Sequence, residues 1–167
     1  MASVKPVIAL LLKRYFHGVR EHLIVTPDGY IACVLQLAGN RHDVNGLYEF
    51  LKNSFAIHLI GDKAYWPKAS LRKELAAQSV TVTAPVRSNM KAKNTAAEKK
   101  LLKKRGRIER IIGLFDRQFH ADRTLNRSRR HYEARRWTKV VAHNLSRHIN
   151  AERSLPIESL QHYRLAS

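Results

Sequence analysis

An α/β fold is what the order of segments predicts, and three observations carry it. Short apolar, β-branched runs at residues 22–26, 30–37, 58–62 and 80–84 alternate with stretches whose apolar residues recur at helical spacing. Pro and Gly punctuate the joints between them. The chain has 167 residues, 44% of them hydrophobic, with 7 Gly and 5 Pro, which suffices for one buried core and excludes a multi-domain enzyme.

Each element has a local reason. The run from Val7 to Leu12 follows Lys5 and precedes Lys13 and Arg14; it is too short for a signal peptide and reads as a buried strand or a start-proximal segment. His22 to Thr26 and Tyr30 to Leu37 flank Pro27-Asp28-Gly29, a hairpin signature. Asp43 can cap a helix reaching about Asn53 with Leu47, Phe50 and Leu51 on one face. His58 to Asp62 is a short strand ending in Gly61 and a carboxylate, and its Leu59 and Ile60 are expected to be buried on both faces of the sheet. Pro67 opens a helix to about Ser79. Val80 to Ala84 is a further strand, closed by Pro85, and residues 87–94 form a polar loop.

Two long basic helices complete the chain. The first is predicted from Ala96 to Phe119, with Leu101, Ile108, Ile111, Ile112, Phe115 and Phe119 facing inward. The second is predicted from Arg127 to Asn150, with Tyr132, Trp137, Val141 and Leu145 as its apolar stripe.

Charge narrows the function. The sequence holds 31 Lys and Arg against 13 Asp and Glu, a formal charge of +18, and a polyanion is the expected partner. The excess is concentrated after residue 85, where 21 cations face 7 acids. A nucleic-acid interface is expected from Lys99, Lys100, Lys103, Lys104 and Arg107 together with Arg127, Arg129, Arg130, Arg135 and Arg136. One cysteine, Cys33, excludes an internal disulfide framework and fits a reducing compartment. No run nears the roughly 18 apolar residues a membrane span needs.

Two acids stand where phosphodiester chemistry could sit. Asp62 lies at the exit of a strand beside Gly61, where ligands of α/β sheets gather, although a turn or cap role explains it as well. Glu109 is a lone acid among Arg105, Arg107 and Arg110, and pairing with Arg105 at i−4 is the simple account of it. If the two converge, they offer the hard oxygen ligands that Mg²⁺ requires. Asp116 could share the face of Glu109 but is expected to be solvated, and Asp43 is expected to be a cap. The pairs His17 with His22 and His143 with His148 are five apart and do not share a helical face well enough for a metal site.

In order along the chain, Arg14-Tyr15-Phe16-His17-Gly18-Val19-Arg20-Glu21-His22-Leu23, Asp28-Gly29, Arg41-His42-Asp43, Gly61-Asp62-Lys63-Ala64-Tyr65 and Arg105-x-x-x-Glu109 resemble the DDE transposases of bacterial insertion sequences. The resemblance covers about residues 13–120. It implies an RNase H-like mixed sheet with flanking helices, and Mg²⁺ or Mn²⁺ held by three acids. Asp62 would be the second acid and Glu109 the third. The family's first aspartate belongs on the first strand, yet no acid precedes Glu21.

The expected organisation is therefore a non-family leader at 1–12, an N-terminally truncated DDE domain at 13–120 and a basic helical tail at 121–167. The implied function is DNA transposition by strand cleavage and transfer, with this chain inactive alone and its metal binding weak or absent. The implied partners are transposon ends and target DNA, with a homodimer or an N-terminal transposase fragment as further candidates. The implied location is the cytoplasm, at the nucleoid. The alternative is a non-enzymatic basic nucleic-acid-binding protein, and convergence of Asp62 and Glu109 discriminates between the two.

Overall fold

The computed structural model describes residues 7–11, 19–41, 47–49, 57–88, 90–121 and 128–156. Five strands, β1 (Val7–Leu11), β2 (Val19–Val25), β3 (Ile31–Ala38), β4 (His58–Ile60) and β5 (Thr81–Thr83), form one mixed sheet in the order β3-β2-β1-β4-β5. The hairpin β2-β3 is antiparallel, β1 pairs antiparallel with β2, and β1, β4 and β5 run parallel. Among the described residues, α1 (Ala69–Ala77) lies between β4 and β5, and α2 (Ala96–Leu102), α3 (Arg105–Phe119) and α4 (Arg129–Glu152) follow β5.

The period-two alternation of strands divides the core in two. Leu23, Val25 and Ile60 face one side and pack with Ile108, Ile111, Ile112 and Phe115 of α3 and Val140 of α4. Ile24 and Leu59 face the other and pack with Leu47, Tyr65, Val80 and the Leu71 and Leu75 stripe of α1. Leu59 and Ile60 are both buried, as a central strand with helices on either side requires.

Residues 7–11, set apart by the sequence as a leader, supply the middle strand of this sheet. Both edges of β1 are paired, so the place beside β4 is filled and not open. The helix expected from Asp43 falls mostly outside the described residues; within them residues 47–49 are helical and Leu47 is buried.

The single helix expected over 96–119 is two helices. A Thr95/Glu98 capping box starts α2, with Glu98 N–H donating to Thr95 Oγ1 at 3.2 Å and Thr95 N–H to Glu98 Oε2 at 2.7 Å. At Lys104 the ladder tightens: its N–H bonds Leu101 O at 3.0 Å, and Arg107 N–H bonds Lys104 O at 3.2 Å, both three residues back. Lys103 and Lys104 keep right-handed helical dihedrals, so the apolar spacing runs on across the break and conceals it from the sequence.

The stripe expected to bury α4 is a correction. Trp137, Val141 and Leu145 are 48%, 62% and 56% exposed, while Arg136, Val140, His143, Arg147 and Asn150 face inward. The reason is polar. Asn144 takes the Ile31 N–H at 2.9 Å and donates to Ile31 O at 3.0 Å, His143 Nε2 donates to Gly29 O at 3.1 Å, and Arg147 donates to Asp28 O. These side chains satisfy the hairpin turn, whose backbone groups would otherwise be buried without partners. Gly29, at φ +86°, has the left-handed conformation that favours glycine, and a Cβ there would also make the Arg147 guanidinium shift.

Beside that turn, Arg136 forms an ion pair with Glu21 of β2; the two side chains are 5% and 4% exposed. Tyr132 O–H donates to Glu21 at 2.6 Å, and Arg136 also donates to Ala121 O at 2.8 Å and lies over the Phe115 ring. Burial of the Tyr132 phenol pushes its pKa up to about 12.

Replacing Arg136 by Met should strand a buried carboxylate and cost about 3–5 kcal/mol in urea unfolding, with the Glu21→Gln, Arg136→Met pair recovering most of it. Equal losses from the single and double variants would show that the pair is not coupled. Because the folded Tyr132 holds its proton to higher pH than the unfolded one, stability should fall as pH rises from 10 towards 12. Thermal melts of Tyr132→Phe should show a shallower fall over that window.

Candidate catalytic site and basic surface

Asp62 follows directly on the carboxyl end of β4. Gly61 N–H continues the ladder to Thr83 O at 2.9 Å, and a Cβ on Gly61 would meet Tyr65 Cβ at 2.9 Å, so only glycine lets the chain turn this tightly. Asp62 Oδ1 then accepts from Lys63 N–H at 2.6 Å and caps one turn of 3-10 helix, Lys63–Tyr65. Tyr65 is buried, and its O–H meets His22 Nδ1 of β2 at 2.7 Å, which ties the turn to the sheet.

Glu109 comes to the same place from α3. Its partner is Arg105, whose Nη2 stands 3.0 Å from Glu109 Oε1 while Nη1 of the same guanidinium stands 3.5 Å from Asp62 Oδ1. One side chain thus joins the strand-end acid to the helix acid, at a part-exposed position open to solvent. The sequence showed Arg105 one turn before Glu109 but carried no sign of its reach to Asp62, which is 43 residues away.

These donors do not make a complete cage for a divalent cation. The two carboxylates already share a fixed cation in Arg105, and β1, which runs parallel to β4 with Ile8 opposite Ile60, has the acid-free sequence Val-Ile-Ala-Leu-Leu. Among the described residues no group of three or more His, Cys, Asp or Glu could hold a metal.

Among the described residues, no other acid or histidine joins Asp62 and Glu109 in such a group. Asp116, expected to be solvated, is buried on the inner side of α3, unlike the exposed Glu109. Asp28 lies in the hairpin turn, and Asp43 and His17 fall outside the described residues. His143 is buried on Gly29 O, and that burial lowers its pKa; His148 is exposed and stands 3.6 Å from Glu152. Cys33 is half-buried, and burial pushes its thiol pKa up, away from nucleophilic use.

The cations divide into two groups. Lys99, Lys100, Lys103, Lys104 and Arg107 are all exposed along α2, the tightened turn and α3, as are Arg130 and Arg135 of α4. Arg129 is exposed but paired with Glu133 at 2.7 Å. Arg136 is a correction: its guanidinium lies inside the molecule on Glu21, so it is not surface charge. Arg127 lies outside the described residues.

Compared with known families, residues 12–129 match the model of the transposase DDE domain. No curated protein matches the chain. The matched span takes in β2 to β5 and both candidate acids, and begins just after β1.

Reversal of Lys99, Lys100, Lys103, Lys104 and Arg107 to Glu should flatten the log–log salt dependence of duplex DNA affinity by about 0.9 per lost phosphate contact. Fluorescence anisotropy over a salt series would measure it. An unchanged slope would place the interface elsewhere.

Proposed function

The chain belongs to the transposase DDE domain family, and from that premise we infer that it acts in DNA transposition as a DNA-binding member that does not itself cut or join strands. The supporting observation is the Asp62-Arg105-Glu109 bridge beside an acid-free β1. The family's chemistry needs divalent cations held between carboxylates, which activate the attacking oxygen and stabilise the leaving one. In this reading Asp62 and Glu109 are two of the three acids, and one guanidinium bridges them and offsets one of their two negative charges.

The sheet order, with an antiparallel β1-β2-β3 meander joined through β1 to parallel β4 and β5, supports an RNase H-like reading of the fold. It also bears on how the missing acid could be supplied. A fragment adding its own first strand would have to displace β1, because both edges of β1 are paired. The same reading makes the chain a nucleoid-associated cytoplasmic protein of a bacterial insertion sequence that binds transposon ends and target DNA. No helix among the described residues is long and apolar enough to cross a membrane.

In this role the chain's residues bind and orient. The exposed lysines of α2 and the following turn meet phosphates, and Arg105 holds the strand-end and helix acids in a fixed relation. A purely basic binding protein, the alternative, has no need to set a strand-end acid and a helix acid on one guanidinium, and that contact favours the transposase reading.

The test is a supercoiled plasmid carrying the element's terminal repeats, incubated with the purified chain and Mg²⁺ or Mn²⁺. Binding without nicking or joining is expected. Metal-dependent nicking that disappears in Asp62→Ala and in Glu109→Ala would overturn the inactive reading.

A further inference from the structure

One turn of chain beyond Asp62 the surface opens into a cleft of about 750 Å³. Its walls combine Trp66 and Met90 with four cations, Lys68, Arg72, Lys73 and Arg87, and none of the described residues lining it is acidic. We propose that this cleft binds single-stranded DNA, taking one unstacked nucleotide with its base against Trp66 and Met90 and its flanking phosphates on Lys68, Arg72 and Arg87.

Four observations support the assignment. The volume lies within the range of small-ligand clefts, which suits one nucleotide and not a duplex. Trp66 is held in place: its N–H bonds Lys63 O at 3.4 Å, closing the 3-10 turn, and Pro67 after it is fully buried. Its ring carries a planar cation on one face, with Arg72 Cζ 4.3 Å from the centroid, so a base would stack there in exchange for that guanidinium, which is then released to a phosphate. The start of α1 has the matching polarity. Lys68 is its N-cap, that cap makes no side-chain hydrogen bond, and the first turn holds no acid, so the positive end of the helix is not offset from within.

The chemistry also separates this surface from the lysine rows of α2. Those cations lie along an exposed helix face and suit a duplex backbone, whereas an aromatic face ringed by guanidinium and ammonium groups is how proteins hold unpaired bases. A strand leaving the Asp62 end of β4 would meet Trp66 next. The choice of DNA as the polyanion rests on the proposed function; the preference for an unpaired base rests on the cleft alone.

Trp66 and Trp137 are the two tryptophans of the sequence, and Trp137 is exposed, so Trp137→Phe leaves Trp66 as the single reporter with little cost to folding. Titration of that variant with a short oligothymidylate should quench Trp66 fluorescence saturably, and a duplex of the same length should quench it far less. Arg72→Gln and Arg87→Gln in the same background should each weaken oligothymidylate binding by about tenfold, with far-UV circular dichroism checking the fold. By anisotropy of labelled oligothymidylate, Trp66→Phe should retain binding and Trp66→Ala should lose it.

Absence of saturable quenching, equal quenching by the duplex, or unchanged affinity in the arginine variants would each overturn the proposal. Quenching by thymidine monophosphate but not by the oligonucleotide would also overturn it, since the site would then be one for free nucleotides. Strand cleavage by the chain would refute the proposed function without touching this result.

Discussion

The buried ion pair between Glu21 and Arg136 is the constraint on which the arrangement of the helices depends. A carboxylate on the inner face of a hairpin strand cannot be left without a counter-charge, and the nearest means of supplying one is a long helix laid across that face. Once α4 is fixed there, Tyr132 joins Gln36 of β3 in donating to Glu21, and Arg136 and Lys139 reach the carbonyls of Ala121 and His120 just past α3. Those contacts place cations at the negative end of α3. They orient the helix whose other end carries Arg105 and Glu109, so the candidate site and the hairpin are held by one set of polar contacts.

What the sequence disclosed and what it hid follow from this polarity. The hairpin, the buried β4 and the inner face of α3 were legible because apolar periodicity and turn chemistry set them locally. Burial of α4 was not, because its inward face is built from Arg136, His143, Asn144 and Arg147, and apolar spacing pointed to the opposite side. Their partners in the hairpin lie more than 100 positions away, a distance over which no periodicity carries information. The role of Val7–Leu11 was hidden for a different reason. An apolar run fits a strand, but nothing local tells a middle strand from a leader.

At the candidate site, position and chemistry have come apart. The fold brings a strand-end acid and a helix acid together, which was legible as a possibility, while the residue joining them is a fixed cation. A part-exposed guanidinium reaching the two carboxylates links strand end and helix without any ion from solution. The strand β1 carries no acid, and the sheet of this family member is nonetheless paired through it on both edges.

The ion pair has a consequence for how the chain comes into being. Residue 21 leaves the ribosome long before residue 136, so the hairpin emerges with a carboxylate on the face that must later be sealed, and its counter-charge does not yet exist. That face has to stay wet until α4 has been made. The order of synthesis therefore delays closure of the α3 and α4 side of the sheet to the last stage, while the side covered by α1, whose strands and helix lie within the first 84 residues, can close as it emerges.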